Sequence, residues 1–71
     1  MAKNPPISNR VKELRNARGG MSQQVLGDAI GVTRHTIIAI ERGKYSPSLE
    51  SAFRIARTFG VGVEDVFGWE E

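Results

Sequence analysis

The chain contains no cysteine and a single histidine. The absence of cysteine excludes a disulfide framework and a thiolate metal site. His35 and Glu41 are six positions apart, too far round a helix to act as a catalytic pair. Neither a glycine-rich phosphate loop nor a metal-ligand spacing is present. The sequence therefore predicts no enzyme, no metal, no cofactor and no small-molecule ligand.

Long apolar segments are also missing. No apolar run approaches the roughly 18 residues of a membrane-spanning helix, and no signal-peptide pattern opens the chain. We expect a soluble, cytoplasmic protein without a membrane partner. The length of 71 residues allows one domain, and a chain of this size buries only about 60% of its unfolded surface.

Charge is unevenly distributed along the chain. Residues 1–45 hold eight basic and three acidic residues, a net charge of +5, whereas residues 46–71 hold two basic and five acidic residues, a net charge of −3. A basic half and an acidic half suit a protein that meets a polyanion with one side. The alternative is ordinary solvated surface charge.

The segment from Ser22 to Gly43 predicts two short helices joined by a tight turn. Ser22 and Thr33 are good N-cap residues, because their hydroxyls accept from the free N–H groups of a first helical turn. Gly31 follows the apolar stripe of the first helix, where a left-handed residue ends many helices. Gly43 is expected to end the second.

Gly27 is the small residue that a steep helix crossing needs, and Ile37 is the branched apolar residue expected to pack against it. This spacing is that of a helix-turn-helix, whose second helix can lie in the major groove of DNA. Since glycine inside a helix costs about 1 kcal/mol relative to alanine, the sequence predicts that Gly27→Ala stabilises the domain.

The whole chain is predicted to be an all-α, five-helix bundle without strands. Asn9 or Ser8 caps a first helix, Ser48 caps a fourth that ends at Gly60, and a short fifth helix covers about 63–67. The predicted divisions are a flexible arm at 1–7, a domain at 8–68 and a tail at 69–71. The inward face of the fourth helix is expected to comprise Leu49, Ala52, Phe53, Ala56 and Phe59.

Five ordered fragments carry a family resemblance. They are Arg10-Val11-Lys12-Glu13-Leu14-Arg15, Ser22-Gln23, Gly31-Val32-Thr33, Ile37-Ile38-Ala39-Ile40-Glu41 and Gly43-Lys44-Tyr45-Ser46-Pro47-Ser48-Leu49. On these motifs the chain resembles small transcriptional regulators of the phage-repressor/Cro type, the xenobiotic-response-element family. The resemblance implies sequence-specific binding of double-stranded DNA and transcriptional control, with repression favoured, by a homodimer. The alternative is the same fold used as a protein-interaction module, such as an antitoxin or a bridging factor.

A helical wheel identifies candidate base contacts in the recognition helix, about 33–42. With Ile37 and Ile40 inward, the outward arc carries Arg34, His35 and Ile38. Arginine can bond to guanine, and an exposed isoleucine suits a thymine methyl group. The alternatives are that the helix is rotated, with Ile38 in the core, and that His35 is a solvent-exposed residue without a role.

The predicted contacts to the DNA backbone surround this arc, and they are Gln23, Thr33, Arg42, Lys44 and Tyr45. A carboxylate repels phosphate and is a poor base reader, so Glu41 is expected to have a structural role. The family resemblance implies that it forms an ion pair with Arg10. The dimer contact is expected at the fifth helix and around Trp69.

Overall fold

The computed structural model describes residues 6–70, which form five helices and a short strand pair. In chain order the elements are β1 (Ile7–Asn9), α1 (Val11–Ala17), α2 (Gln23–Ile30), α3 (Arg34–Glu41), α4 (Leu49–Phe59), α5 (Val63–Val66) and β2 (Phe67–Trp69). The predicted all-α bundle is confirmed, with the strand pair as a minor addition. Within residues 6–70, no helix has the length and apolar character to cross a membrane.

The N-terminal ends of the helices follow from local side-chain chemistry. The Ser22 hydroxyl accepts from the Val25 amide at 3.0 Å, and the Thr33 hydroxyl accepts from the Thr36 amide at 3.2 Å. Ser48 caps α4 in the same way. Each bond satisfies an amide that the helix itself leaves without a partner. The three predicted caps are confirmed.

The turn between α2 and α3 is tighter than expected. Gly31 has φ 78°, as predicted for the left-handed end of α2. A Cβ atom on Gly27 would lie 2.8 Å from the backbone oxygen of Val32, so the turn itself fills the space assigned to Ile37. The predicted stabilisation by Gly27→Ala assumed room for a methyl group, and the structure leaves none.

One apolar core joins all five helices. It consists of Val11, Leu26, Ile30, Ile37, Ile40, Ile55, Ala56, Phe59 and Val66. The predicted inward face of α4 is partly wrong, because Leu49 is 73% exposed and Phe53 is 52% exposed. Ile55 is fully buried in their place. The inward register therefore starts at Ala52, one turn later than predicted.

The ends of the domain meet in a two-stranded antiparallel sheet. Ile7 pairs with Trp69 and Asn9 with Phe67, so the prediction of no strands was wrong. Three-residue strands are too short for an alternating pattern to reveal. Residues 1–5 of the predicted arm and residue 71 of the predicted tail lie outside the described residues.

Asn9 links this strand pair to the helices. Its side-chain oxygen accepts from the Val11 amide at 3.1 Å, at the start of α1. Its side-chain nitrogen donates to the Ile40 carbonyl at 2.9 Å, near the end of α3. One residue therefore bonds to the first amide of α1 and ties α1 to the helix expected to read DNA, although the N-cap position is occupied by Arg10 rather than by the predicted Asn9 or Ser8.

Candidate nucleic-acid interface

Helix α3 is oriented as the sequence predicts. Ile37 and Ile40 are buried in the core, whereas Arg34 and His35 are exposed in the first turn. Ile38 is half-buried and lies outside the core cluster. The alternative of a rotated helix with Ile38 in the core is therefore wrong, and the exposed face of α3 carries the predicted set.

Side chains from three helices line a polar groove beside α3. They are Lys12 and Arg15 of α1, Gln23 of α2, and Arg34, Ile38, Glu41 and Arg42 at or next to α3. Arg15 is neutralised by Glu41, but Lys12, Arg34 and Arg42 have no ion pair among residues 6–70. The groove wall thus presents three uncompensated cations, which favours a polyanionic ligand.

A buried ion pair forms the floor of this groove. The Arg15 Nε donates to Glu41 Oε2 at 2.6 Å, and Arg15 Nη2 donates to Glu41 Oε1 at 3.1 Å. The third guanidinium nitrogen, Nη1, donates to the Met21 carbonyl at 2.7 Å. The two ionised side chains are only 10% and 8% exposed. The bidentate pair fixes α3 against α1 and the start of α2.

The predicted partner of Glu41 was wrong. Arg10 precedes α1 and is solvent-exposed, and its guanidinium lies 3.7 Å from Glu13 instead. Arg15 is more than one helical turn further along, where α1 faces the core. The structural role predicted for Glu41 is retained, and Arg15 replaces Arg10 in the pair.

Gln23 is held by the same carboxylate. Its amide nitrogen donates to Glu41 Oε1 at 3.0 Å. Since an amide carries two N–H donors, a second donor is left at the first residue of α2. The positive end of the helix dipole lies there too and favours an anion such as phosphate.

The other residues predicted to contact the DNA backbone lie in different places relative to the groove. Thr33 is exposed at the start of α3, but its hydroxyl is engaged with both the amide and the hydroxyl of Thr36. Lys44 is exposed beyond the end of α3. Tyr45 is half exposed and lines a small pocket with Asn9 and Pro47, outside the groove. The structure therefore brings Gln23 and Arg42, but not Lys44 and Tyr45, into the groove.

The chain matches the model of the helix-turn-helix family over residues 11–66. It belongs to that family, of the phage-repressor/Cro type. Proteins of this family bind DNA and regulate transcription, and they are not enzymes. The groove beside α3 is therefore the candidate DNA interface of a helix-turn-helix regulator.

Relatives of the chain are found in bacteria and archaea. It is 54% identical over 65 residues to the uncharacterised HTH-type transcriptional regulator YgzD of Bacillus subtilis, covering 92% of this chain and 97% of that protein. It is 49% identical to an uncharacterised HTH-type regulator of Methanocaldococcus jannaschii, with the same two coverages. It is 32% identical over 60 residues to the cryptic phage CTXphi transcriptional repressor RstR of Vibrio cholerae, covering 84% of this chain and 53% of that protein.

Within this helix-turn-helix domain, two groove residues of α1, Lys12 and Arg15, were missed by the sequence prediction. Lys12 is exposed on α1 and lines the groove with Arg34 and Arg42. A signal was present, because Lys12 and Arg15 are three apart and share a helix face. A helical wheel of α3 does not show these residues, since the contribution of α1 depends on how the helices pack.

Proposed function

We propose that the chain represses transcription by binding a specific double-stranded DNA sequence as a homodimer in the cytoplasm. Residues 33–42 act as the recognition helix in the major groove. The observation that carries this proposal is the exposed face of α3. Three uncompensated cations and one apolar side chain line a groove there, while the opposite face of the same helix is anchored in the core.

Base recognition is assigned to the first half of α3. Arg34 is in the first turn, from which recognition helices reach base edges, and its guanidinium suits the O6 and N7 atoms of guanine. His35 is its exposed neighbour and can donate to or accept from a base. Ile38 is one turn further along, where an apolar side chain suits the thymine methyl group.

Backbone recognition is assigned to the rim of the groove. Arg42 and Lys12 contribute charge from two different helices, and Gln23 contributes an oriented amide donor beside a helix N-terminus. Thr33, Lys44 and Tyr45 extend the contacts along the phosphate chain outside the groove. Such contacts set the register of the protein on the duplex without reading sequence.

Repression is proposed from a relative. RstR, which shares 32% identity with this chain, is a transcriptional repressor by name. A recognition helix placed in the major groove over a promoter excludes other proteins from the same DNA. Repression therefore needs no further activity from a chain of this size.

Selection from a random duplex library at near-physiological salt tests the proposal. Wild type is run beside Arg34→Ala, with Arg57→Ala as the matched control, since Arg57 is an exposed arginine of α4 outside the groove. We expect wild type and Arg57→Ala to enrich the same palindrome. Arg34→Ala is expected to lose about 1–3 kcal/mol and to relax one base position.

Two outcomes of the selection contradict the proposal. Equal enrichment by Arg34→Ala removes α3 from base recognition. No enrichment by wild type, or binding that only follows the salt dependence of phosphate contacts, favours the protein-interaction module instead.

A further inference from the structure

The short strand pair is bonded to the end of the recognition helix through Asn9, the last residue of β1. The Asn9 side-chain nitrogen donates to the Ile40 carbonyl at 2.9 Å, across 31 positions of the chain. Asn9 is partly buried and does not line the groove beside α3. The carbonyl that it binds belongs to the last turn of α3. That turn leads directly into Arg42 and Lys44, which are assigned to the DNA backbone.

The turn that ends α3 is built around Gly43. Gly43 has φ 72°, a left-handed conformation that glycine adopts at little cost. Its amide donates to the Ile40 carbonyl at 3.0 Å, and the Lys44 amide donates to the Ala39 carbonyl at 3.0 Å. These two bonds form a Schellman motif, which satisfies carbonyls that a helix end leaves without partners. We call residues 42–44 the α3 exit turn.

The α3 exit turn carries a cation on each side of Gly43. Arg42 is exposed and lines the groove, and Lys44 is exposed beyond the end of α3. Neither side chain has an ion pair among residues 6–70. Both are therefore available to phosphates, and the backbone of the α3 exit turn determines where the two side chains leave the domain.

The Ile40 carbonyl accepts one bond from within the α3 exit turn and one from outside it. The first comes from the Gly43 amide and the second from Asn9. A carbonyl oxygen has two lone pairs, so both are used. Helix ends fray, and the bond from Gly43 is lost when this one does. The bond from Asn9 opposes fraying, because it comes from a different element of the fold.

Asn9 is itself held in place by three elements. In the strand pair it lies opposite Phe67 of β2. The amide of the next residue, Arg10, donates to the carbonyl of Val66 in α5 at 2.8 Å. The Asn9 side-chain oxygen accepts from the amide of Val11 in α1 at 3.1 Å. The anchor of the α3 exit turn is therefore fixed to the rest of the domain.

The residues that follow the α3 exit turn lie against the same strand pair. Tyr45, Ser46 and Pro47 line a small cavity together with Ile7, Asn9 and Phe67. The volume of this cavity is only about 10 Å³, no larger than one water molecule needs. The chain that leaves α3 is therefore in close contact with β1 and β2, and Asn9 lies at the centre of that contact.

We propose that Asn9 is a positioning residue for DNA binding, which holds the α3 exit turn in the conformation that presents Arg42 and Lys44 to the DNA backbone. The inference deepens the proposed function, on which it rests. A turn that frays must be ordered when DNA binds, and the cost of ordering it lowers the affinity. Asn9 reduces this cost by ordering the turn in the free protein, without touching DNA itself.

The salt dependence of DNA binding tests the proposal on the full chain. The probe is a fluorescein-labelled duplex of mixed sequence, measured by fluorescence anisotropy, because phosphate contacts do not depend on sequence. The variant is Asn9→Ser, which is neutral and keeps a hydroxyl for the Val11 amide. Its side chain is one bond too short to reach the Ile40 carbonyl. We expect the affinity to fall about tenfold and the slope of log affinity against log salt to fall by about 0.9–1.8, the value for one or two phosphate contacts.

The matched control is Ile55→Val, which removes one buried methylene group from α4, outside the groove and the α3 exit turn. Ile55→Val is expected to lower the melting temperature and to leave the slope unchanged. It therefore separates a loss of stability from a loss of positioning. Binding is measured at a temperature at which circular dichroism shows that each variant is folded.

A double-mutant cycle identifies the side chains that Asn9 positions. Lys44→Gln and Arg42→Gln are each expected to lower the slope by about 0.9 in the wild-type background. In the Asn9→Ser background at least one of them is expected to have a smaller effect, because its contact is already weakened. Lys12→Gln is the comparison, since Lys12 lines the groove from α1, and its effect is expected to be equal in both backgrounds.

Four results overturn the proposal. An unchanged slope in Asn9→Ser, or an equal fall in Ile55→Val, leaves Asn9 with a role in stability alone. Additive effects of Asn9→Ser with both Lys44→Gln and Arg42→Gln separate Asn9 from the α3 exit turn. Failure of Asn9→Ser to fold makes Asn9 a requirement of the whole domain rather than of one turn.

The outcomes also separate this inference from the proposed function. If wild type selects a palindrome while Asn9→Ser binds the mixed duplex as wild type does, only the role of Asn9 is wrong. If wild type selects no sequence but the cycle shows coupling, specific recognition fails and the positioning role stands. A wild type that binds no duplex at all contradicts both.

Discussion

Removal of Arg15 is expected to be the most damaging single change in the interface. Arg15→Met deletes three hydrogen bonds, of 2.6, 2.7 and 3.1 Å, and leaves Glu41 with Gln23 as its remaining partner. The carboxylate side chain is 8% exposed, so water cannot replace the lost donors. Breaking a buried pair in this way costs about 3–5 kcal/mol.

That loss is large for a domain of this size. At about 0.05–0.15 kcal/mol per residue, the whole free energy of unfolding of 71 residues is about 4–11 kcal/mol. A loss of 3 kcal/mol lowers the melting temperature by at least about 12 °C, since 1 kcal/mol is worth about 4–8 °C. Urea unfolding monitored by circular dichroism gives the free energy directly. DNA affinity is expected to fall only as the folded fraction falls.

Arg10→Met is the matched control, because Arg10 and its partner Glu13 are 62% and 71% exposed and 3.7 Å apart. It is expected to change stability by less than about 0.5 kcal/mol, as most surface changes do. The double variant Arg15→Met with Glu41→Leu is expected to regain most of the loss, since apolar residues can replace a buried pair. A greater loss in Arg10→Met than in Arg15→Met would refute the reasoning.

Three further predictions follow from close contacts and charge. Gly27→Ala is expected to destabilise the domain by about 1 kcal/mol. The clash of the new methyl group with the Val32 oxygen costs about 1–3 kcal/mol, which exceeds the gain of about 1 kcal/mol in helix propensity. A rise in melting temperature would show that the turn moves aside. Asn9→Ala loses two hydrogen bonds and is expected to cost about 1–2 kcal/mol in chemical denaturation, and no loss contradicts its linking role. Lys12→Gln is expected to reduce the slope of log affinity against log salt by about 0.9, whereas Arg57→Gln leaves it unchanged; equal slopes in both variants remove Lys12 from the interface.

The parts of the fold that could be predicted from the sequence are those that depend only on residues a few positions apart in the chain. Ser22, Thr33 and Ser48 each bond to an amide three positions ahead. Each cap can therefore be predicted from nearby residues without knowledge of the tertiary structure. The face of α3 was also predicted, from Ile37 and Ile40, which are three positions apart on one side of the helix, although Ile38 left a rotated helix as an alternative.

Long-range choices could not be predicted in the same way. Helix α4 has two overlapping apolar registers, one that includes Leu49 and Phe53 and one that includes Ile55. Spacing alone does not decide between them, and packing against α2 and α5 selected the second. Likewise, Arg10 precedes α1 and Arg15 lies within it, and only the packed structure shows which of the two guanidinium groups reaches Glu41.

At the interface itself, the residues of one helix were predictable and those brought in from another were not. Arg34, His35 and Ile38 share a helix with each other, so a wheel was enough to group them. Lys12 reaches the same groove from α1, and its role as a contact, like theirs, stays a prediction until binding is measured.

The antiparallel strand pair has a consequence for engineering the chain. Because Ile7 lies directly opposite Trp69, the first and last described residues are close in space, as circular permutation requires. Gly19 and Gly20 form an exposed joint between α1 and α2 and are a suitable place to open the chain. A permutant joined through its present ends and opened there keeps α2 and α3 contiguous. Reporter domains at its new ends would then project from the joint between α1 and α2 rather than from the strand pair.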